Sequence, residues 1–137
     1  MALVAPVLAQ IFWTFLVILM AGRSRVSTLR AREVSMGQIA LGNDAWPQRV
    51  KALGNNMNNQ FETPVLFYAL CGIATYLGLT GWVMAALAWG YVASRVAHTL
   101  IHTGGNNVPR RFQAFVAGLS LLMAMWLGIV LRLLGLI

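Results

Sequence analysis

This 137-residue chain is poor in charge: only 9% of its residues are Asp, Glu, Lys or Arg, where a soluble domain carries about 25%. So few charges cannot coat a water-facing surface, and 59% hydrophobic residues exclude disorder. Acidic groups are rarest, with three Asp and Glu against ten Lys and Arg and a net charge of +7. The basic residues are dispersed and no groove-reading motif accompanies them. The excess therefore reads as membrane topology rather than nucleic-acid binding. Cysteine is nearly absent too. Cys71 alone, in the apolar run Val65 to Leu77, excludes an intrachain disulfide and a CxxC site, and it reads as a small buried apolar residue. There is no Ser/His/Asp order, phosphate loop or nucleotide fingerprint.

What the sequence does have is long apolar runs. Leu3 to Gly22 is twenty residues without a charge, about 30 Å of helix and the thickness of a hydrocarbon core. Met1-Ala2 gives no basic start for a cleaved signal peptide, so this run is expected to be a retained span. Thr63 to Ser94 is 32 uncharged residues, too long for one crossing, and Leu77-Gly78-Leu79-Thr80-Gly81 supplies a break. Gly104-Gly105-Asn106-Asn107-Val108-Pro109 is the next turn, and Phe112 to Leu131 is a fourth apolar stretch closed by Arg132. The expected architecture is all-α: one membrane domain over 1–137, an up-down bundle of four spans at about 3–22, 59–79, 82–102 and 112–131. A loop at 23–58 joins the first two. The loops carry Arg23, Arg25, Arg30, Arg32, Arg49, Lys51, Arg110 and Arg111, against Arg132 alone on the opposite side. That asymmetry puts the basic loops in the cytoplasm and both termini outside.

Polar side chains at membrane depth are costly and face protein or a cavity. Two groups stand out. Lys51, Asn55, Asn59 and Glu62 are spaced to share one face if a single helix runs through them; the bland alternative is a solvated first turn. Tyr91, Arg95, His98 and His102 share a face of the third span; Arg95 pairing with Glu62 merely to tie two helices is the structural alternative there. Topology brings both groups, with Arg110 and Arg111, to one leaflet. The result is expected to be a cytoplasm-facing pocket suited to an anionic, water-soluble ligand, with apolar surface nearby for a lipophilic molecule. Metal ligation by His98, His102 and Glu62 is disfavoured by the neighbouring Arg95. A proton-coupled exporter would want a carboxylate at mid-depth, and a bis-His haem would need other subunits. Ala117, Gly118 and Ser120 read as close-packing positions. Trp13, Trp82, Trp89 and Trp126 read as core or interface belt.

Asn59-Gln60-Phe61-Glu62-Thr63-Pro64 resembles the N-x-x-E motif, with its nearby proline, of the membrane-associated proteins in eicosanoid and glutathione metabolism (MAPEG). Arg95-Val96-Ala97-His98-Thr99, followed by Arg110-Arg111, resembles that family's second signature. The resemblance covers essentially the whole chain. It implies a homotrimer that holds glutathione between subunits near the cytoplasmic face as co-substrate. It implies that Asn59 and Glu62 hold the glutathione backbone, that Arg95 and His98 line the site with His102 and Asn55, and that Arg111 or Arg110 stabilises the thiolate. Arg23 and Arg25 would contribute from a neighbour. Two positions depart from glutathione-using members: Asn55 stands where arginine is usual, and His102 where tyrosine is. The function implied is a membrane-bound glutathione-dependent transferase or peroxidase acting on lipophilic electrophiles. Nothing resembling a targeting address precedes the first span, so a bacterial inner membrane is expected. A non-catalytic lipid-binding or scaffold protein of the same fold is the alternative.

Overall fold

The computed structural model describes residues 2–40, 42–105 and 107–137; Met1, and Asn106 of the expected turn before Pro109, lie outside them. The described residues are α-helices and connections, with no strand among them. The helices are α1 (Val4–Arg30), α2 (Met36–Ile39), α3 (Gln48–Asn58), α4 (Thr63–Tyr76), α5 (Trp82–Thr103) and α6 (Val108–Leu133), with a 3₁₀ turn at Asn59–Phe61 between α3 and α4. α1 and α6, of 27 and 26 residues, are apolar enough to cross a membrane, and at about 40 Å each they exceed a hydrocarbon core. Little of either is buried by the chain itself. Leu8, Phe12, Phe15 and Leu19 of α1 and Met123, Trp126 and Leu127 of α6 all face outward, more apolar surface than a soluble monomer leaves to water.

The ends of the helices follow from local chemistry. α4 stops at Gly78, whose φ of 68° is the left-handed conformation that glycine adopts without a Cβ penalty. There Leu79 N–H donates to Ala74 C=O and Gly78 N–H to Thr75 C=O, which closes the helix. α1 ends in the same motif, with Glu33 N–H on Thr28 C=O and Arg32 N–H on Leu29 C=O, but the left-handed residue is Arg32 at φ 56°. Asn107 caps α6 by accepting from Arg110 N–H.

α5 and α6 form the most extensive helix pair. The core lies where α4, α5 and α6 meet: Phe67, Cys71 and Ala74 pack against Met84, Ala88, Tyr91, Leu122, Met125 and Ile129. Cys71 is the small buried residue its surroundings predict. The Phe67 and Tyr91 rings stack 4.7 Å apart, and the Tyr91 hydroxyl donates to Thr63 Oγ1 at 3.0 Å. Gly118 lets α6 close on α5: a Cβ there would sit 2.6 Å from Ser94 Oγ. Ala117 and Ser120 turn outward instead. Trp13 is half-buried, whereas Trp82, Trp89 and Trp126 are exposed.

The segment expected as a plain loop at 23–58 is partly helical. It holds the end of α1, α2 and α3, and a small core of Val34, Trp46 and Val50 pins it. Arg49 bonds Glu33 at 2.6 Å and Thr28 at 3.1 Å, and the carboxylate raises the Arg49 pKa further above its ordinary value.

Candidate functional site

The predicted stripe of Lys51, Asn55, Asn59 and Glu62 along one helix does not form. Pro64 cannot donate to the carbonyl four residues back, and its ring crowds that carbonyl, so a single α-helix through Gln60 to Glu62 is disfavoured by about 3 kcal/mol. The chain leaves α3 at Asn58, makes the 3₁₀ turn and restarts as α4 at Thr63. This break turns the motif residues toward α5 and α6. They line a cavity of about 460 Å³ walled by Asn55, Asn58, Asn59, Glu62, His98, His102, Val108, Arg111, Phe112 and Phe115. That volume is in the range of a small-molecule site.

Six of the eight residues singled out from the sequence therefore share one cavity: Asn55, Asn59, Glu62, His98, His102 and Arg111. Arg95 stands behind the wall. It is 2% exposed and donates to the Asn59 carbonyl at 2.9 Å, so it fixes the turn rather than lining the recess. The Arg95–Glu62 ion pair of the structural alternative is absent among the described residues, where Arg49–Glu33 is the one salt bridge. Arg110 is exposed and not on the cavity wall; its backbone N–H serves the α6 cap. Lys51 joins Arg25, Trp46 and Asn43 in a small recess next door, which shares Asn55 and Asn58 with the cavity. The Arg25 guanidinium lies 5.9 Å from the Trp46 ring centroid. No group of three or more His, Cys, Asp or Glu side chains is arranged to hold a metal among the described residues.

Each wall has a support. Arg111 Nη1 lies 3.3 Å from His102 Nε2. The His98 and His102 rings meet edge to face, 5.9 Å apart, one helical turn from each other on α5. Beneath the turn runs a network that sequence reasoning missed. Gln10, Asn56, Gln60 and Thr99, none more than 1% exposed, come from α1, α3, the turn and α5. Gln10 Nε2 donates to Gln60 Oε1 at 3.2 Å, Thr99 Oγ1 donates to Asn56 Oδ1 at 3.2 Å, and Thr99 accepts from Trp13 Nε1 at 3.3 Å. One signal was in the sequence: Gln10 is the lone amide in the first apolar run, and such a group needs an interior partner.

The model of the MAPEG family matches residues 3–131, nearly the whole chain. The chain belongs to the MAPEG family. No curated protein and no solved structure matches it. Membership of a membrane family, together with α1 and α6, makes this MAPEG chain an integral membrane protein in contact with the lipid bilayer. It also explains the outward apolar faces, which are solvated by lipid tails rather than water. The family is glutathione-associated in general. Glu62, the asparagines and Arg111 give the cavity a carboxylate acceptor, amide donors and acceptors, and a cation.

Proposed function

We propose that this MAPEG protein is a glutathione-dependent transferase or peroxidase acting on lipophilic electrophiles. The observation that carries the reading is the single cavity that gathers Glu62, three asparagines, two histidines and Arg111. Glutathione brings an ammonium, two carboxylates, two amides and a thiol. Glu62 accepts from the ammonium. Asn55, Asn58 and Asn59 bond the peptide groups, and Arg25 and Lys51 in the adjoining recess offset the carboxylate charge. Arg111 sits by the sulfur, where a cation raises the thiolate fraction. The thiol proton leaves to water through the open mouth. The thiolate then forms a carbon–sulfur bond as the electrophile's leaving group departs. With a hydroperoxide, a pair of glutathione molecules leaves as the disulfide while the hydroperoxide becomes an alcohol and water. Val108, Phe112 and Phe115 give the lipophilic partner an apolar wall.

In the same reading the chain crosses the membrane four times and assembles as a homotrimer. The termini lie outside and the basic loops in the cytoplasm of a bacterial inner membrane. The departure from α-helix at Asn59–Glu62 is compatible with membrane depth, since irregular backbone is tolerated there where it lines a cavity. The non-catalytic lipid-binding alternative draws on one feature, a wholly apolar groove of about 360 Å³ between α4 and α6, lined by Leu66, Ile73, Leu119 and Trp126 among others.

Purified protein in detergent, heated with and without glutathione, tests the proposal. A ligand at 100 times its Kd that binds only the folded state adds about 2.7 kcal/mol of stability. Stabilisation, with turnover of an aryl halide or lipid hydroperoxide that Arg111→Ala abolishes, is expected. Stabilisation by lipid but not by glutathione, with no turnover, refutes the enzyme reading in favour of the lipid-binding one.

A further inference from the structure

We infer that His102 is a positioning residue: as the neutral, Nδ1-protonated tautomer it accepts a hydrogen bond from Arg111 and holds that guanidinium against the cavity. The pairing rests on geometry alone; its consequence for turnover rests on the glutathione reading above.

The inference starts from what a guanidinium can do. It carries only donors, so the His102 Nε2 that lies 3.3 Å from Arg111 Nη1 must present a lone pair. An imidazolium would instead turn a donor and a second positive charge on it. The ring is therefore neutral and its single proton sits on Nδ1. His102 Nδ1 is buried and has no hydrogen-bond partner among the described residues. A free imidazole in water prefers its proton on Nε2, so the protein enforces the less common form.

The ring is well placed to act as a fixed acceptor. His102 is 5% exposed and lies in the last turn of the 22-residue α5, and the His98 ring meets it edge on at 82°. Arg111 is a long, rotamer-rich side chain in the first turn of α6. A rigid acceptor across the turn narrows the directions its guanidinium takes. The tautomer is set by the bond the other nitrogen makes, as is usual for an oriented histidine. This also gives a physical role to a histidine at the position where glutathione-using relatives carry tyrosine.

Histidine-selective ¹⁵N NMR of the full-length protein in micelles, without glutathione, reads the tautomer directly. The expected spectrum for His102 has a protonated Nδ1 and a bare Nε2, and Arg111→Ala releases the ring to the Nε2-protonated form. An Nε2–H signal in the wild type overturns the pairing. Kinetics with glutathione and an aryl halide read the consequence. His102→Leu, with no acceptor, is expected to lower kcat about tenfold through a misplaced guanidinium, while KM for glutathione stays within about twofold because the Glu62 and asparagine contacts remain. His102→Gln, whose Oε1 accepts from an N–H, is expected to recover most of that loss. Equal activity of wild type and His102→Leu, or a glutamine variant as impaired as the leucine one, overturns the positioning role. If the wild type neither binds glutathione nor turns over, the glutathione reading fails while the tautomer still decides the pairing.

Discussion

Replacing Thr99 by valine keeps the outline of the side chain and removes one hydroxyl. That hydroxyl is the junction of the buried network. It donates to Asn56 Oδ1 at 3.2 Å and accepts from Trp13 Nε1 at 3.3 Å and Gln60 Nε2 at 3.5 Å. Gln60 Nε2 keeps its bond to the Asn56 carbonyl at 3.4 Å. Asn56 is 0% exposed and its Oδ1 has no other partner among the described residues, so it is orphaned. A buried orphaned acceptor costs about 1–3 kcal/mol, and the half-buried Trp13 N–H adds about 1 kcal/mol at most. The added methyl returns less than about 0.8 kcal/mol. Thr99→Val is therefore expected to lose about 2 kcal/mol. Thr99→Ser, which keeps the hydroxyl and loses a methyl, should lose only about 1 kcal/mol. Unfolding in mixed micelles with increasing denaturing detergent, followed by tryptophan fluorescence, measures both. The cause is checked by a double-mutant cycle with Asn56→Leu, which removes the orphaned group. Coupling should exceed the roughly 0.6 kcal/mol average of interhelical bonds in membranes. A valine variant no less stable than the serine variant, or strict additivity with Asn56→Leu, would refute the reasoning.

Gly118→Ala is expected to destabilise by about 1 kcal/mol, because the new Cβ meets Ser94 Oγ at 2.6 Å and displaces its bond to the Tyr91 carbonyl; adding Ser94→Ala should restore stability to the wild-type level or above, since alanine also favours the helix, and thermal melts of the pair decide it. Arg32→Gly is expected to raise stability by about 1 kcal/mol by relieving the left-handed φ of 56° at an exposed position; an unchanged or lower melting temperature would count against that account. Arg110→Ala should leave turnover of glutathione and an aryl halide near the wild-type level while Arg111→Ala lowers kcat by more than about tenfold, read by steady-state kinetics, because only Arg111 lines the cavity. With Cys71 replaced by alanine, single cysteines introduced in the 31–47 segment should react with a membrane-impermeant maleimide in inverted vesicles and not in intact cells; the reverse pattern would invert the proposed topology.

The sequence by itself determined the solvent. With 9% charge and 59% hydrophobic residues the chain cannot end in water, and the apolar runs already marked α1 and α6. Gly78 marked the end of α4, because a left-handed residue is a local requirement that one glycine announces. Motif residues are legible as residue types: Asn55, Asn59, Glu62, His98, His102 and Arg111 stand out by their polarity in an apolar chain. What the sequence left open was direction. Helical spacing put Lys51, Asn55, Asn59 and Glu62 on one stripe, and the break favoured by Pro64 instead swung Glu62 and Asn59 into the cavity and sent Lys51 to the recess beside it. As sequence, the adjacent Arg110 and Arg111 are equivalent. The pitch of α6 sent Arg111 inward and Arg110 out to the surface. Arg95 is spaced to line the pocket and instead clamps the Asn59 carbonyl from behind the wall. The network of Gln10, Asn56, Gln60 and Thr99 joins residues up to 89 positions apart. No local pattern encodes such a set. Only the packing of α1, α3 and α5 brings those groups within hydrogen-bonding distance, and only there does burial leave them no other partners.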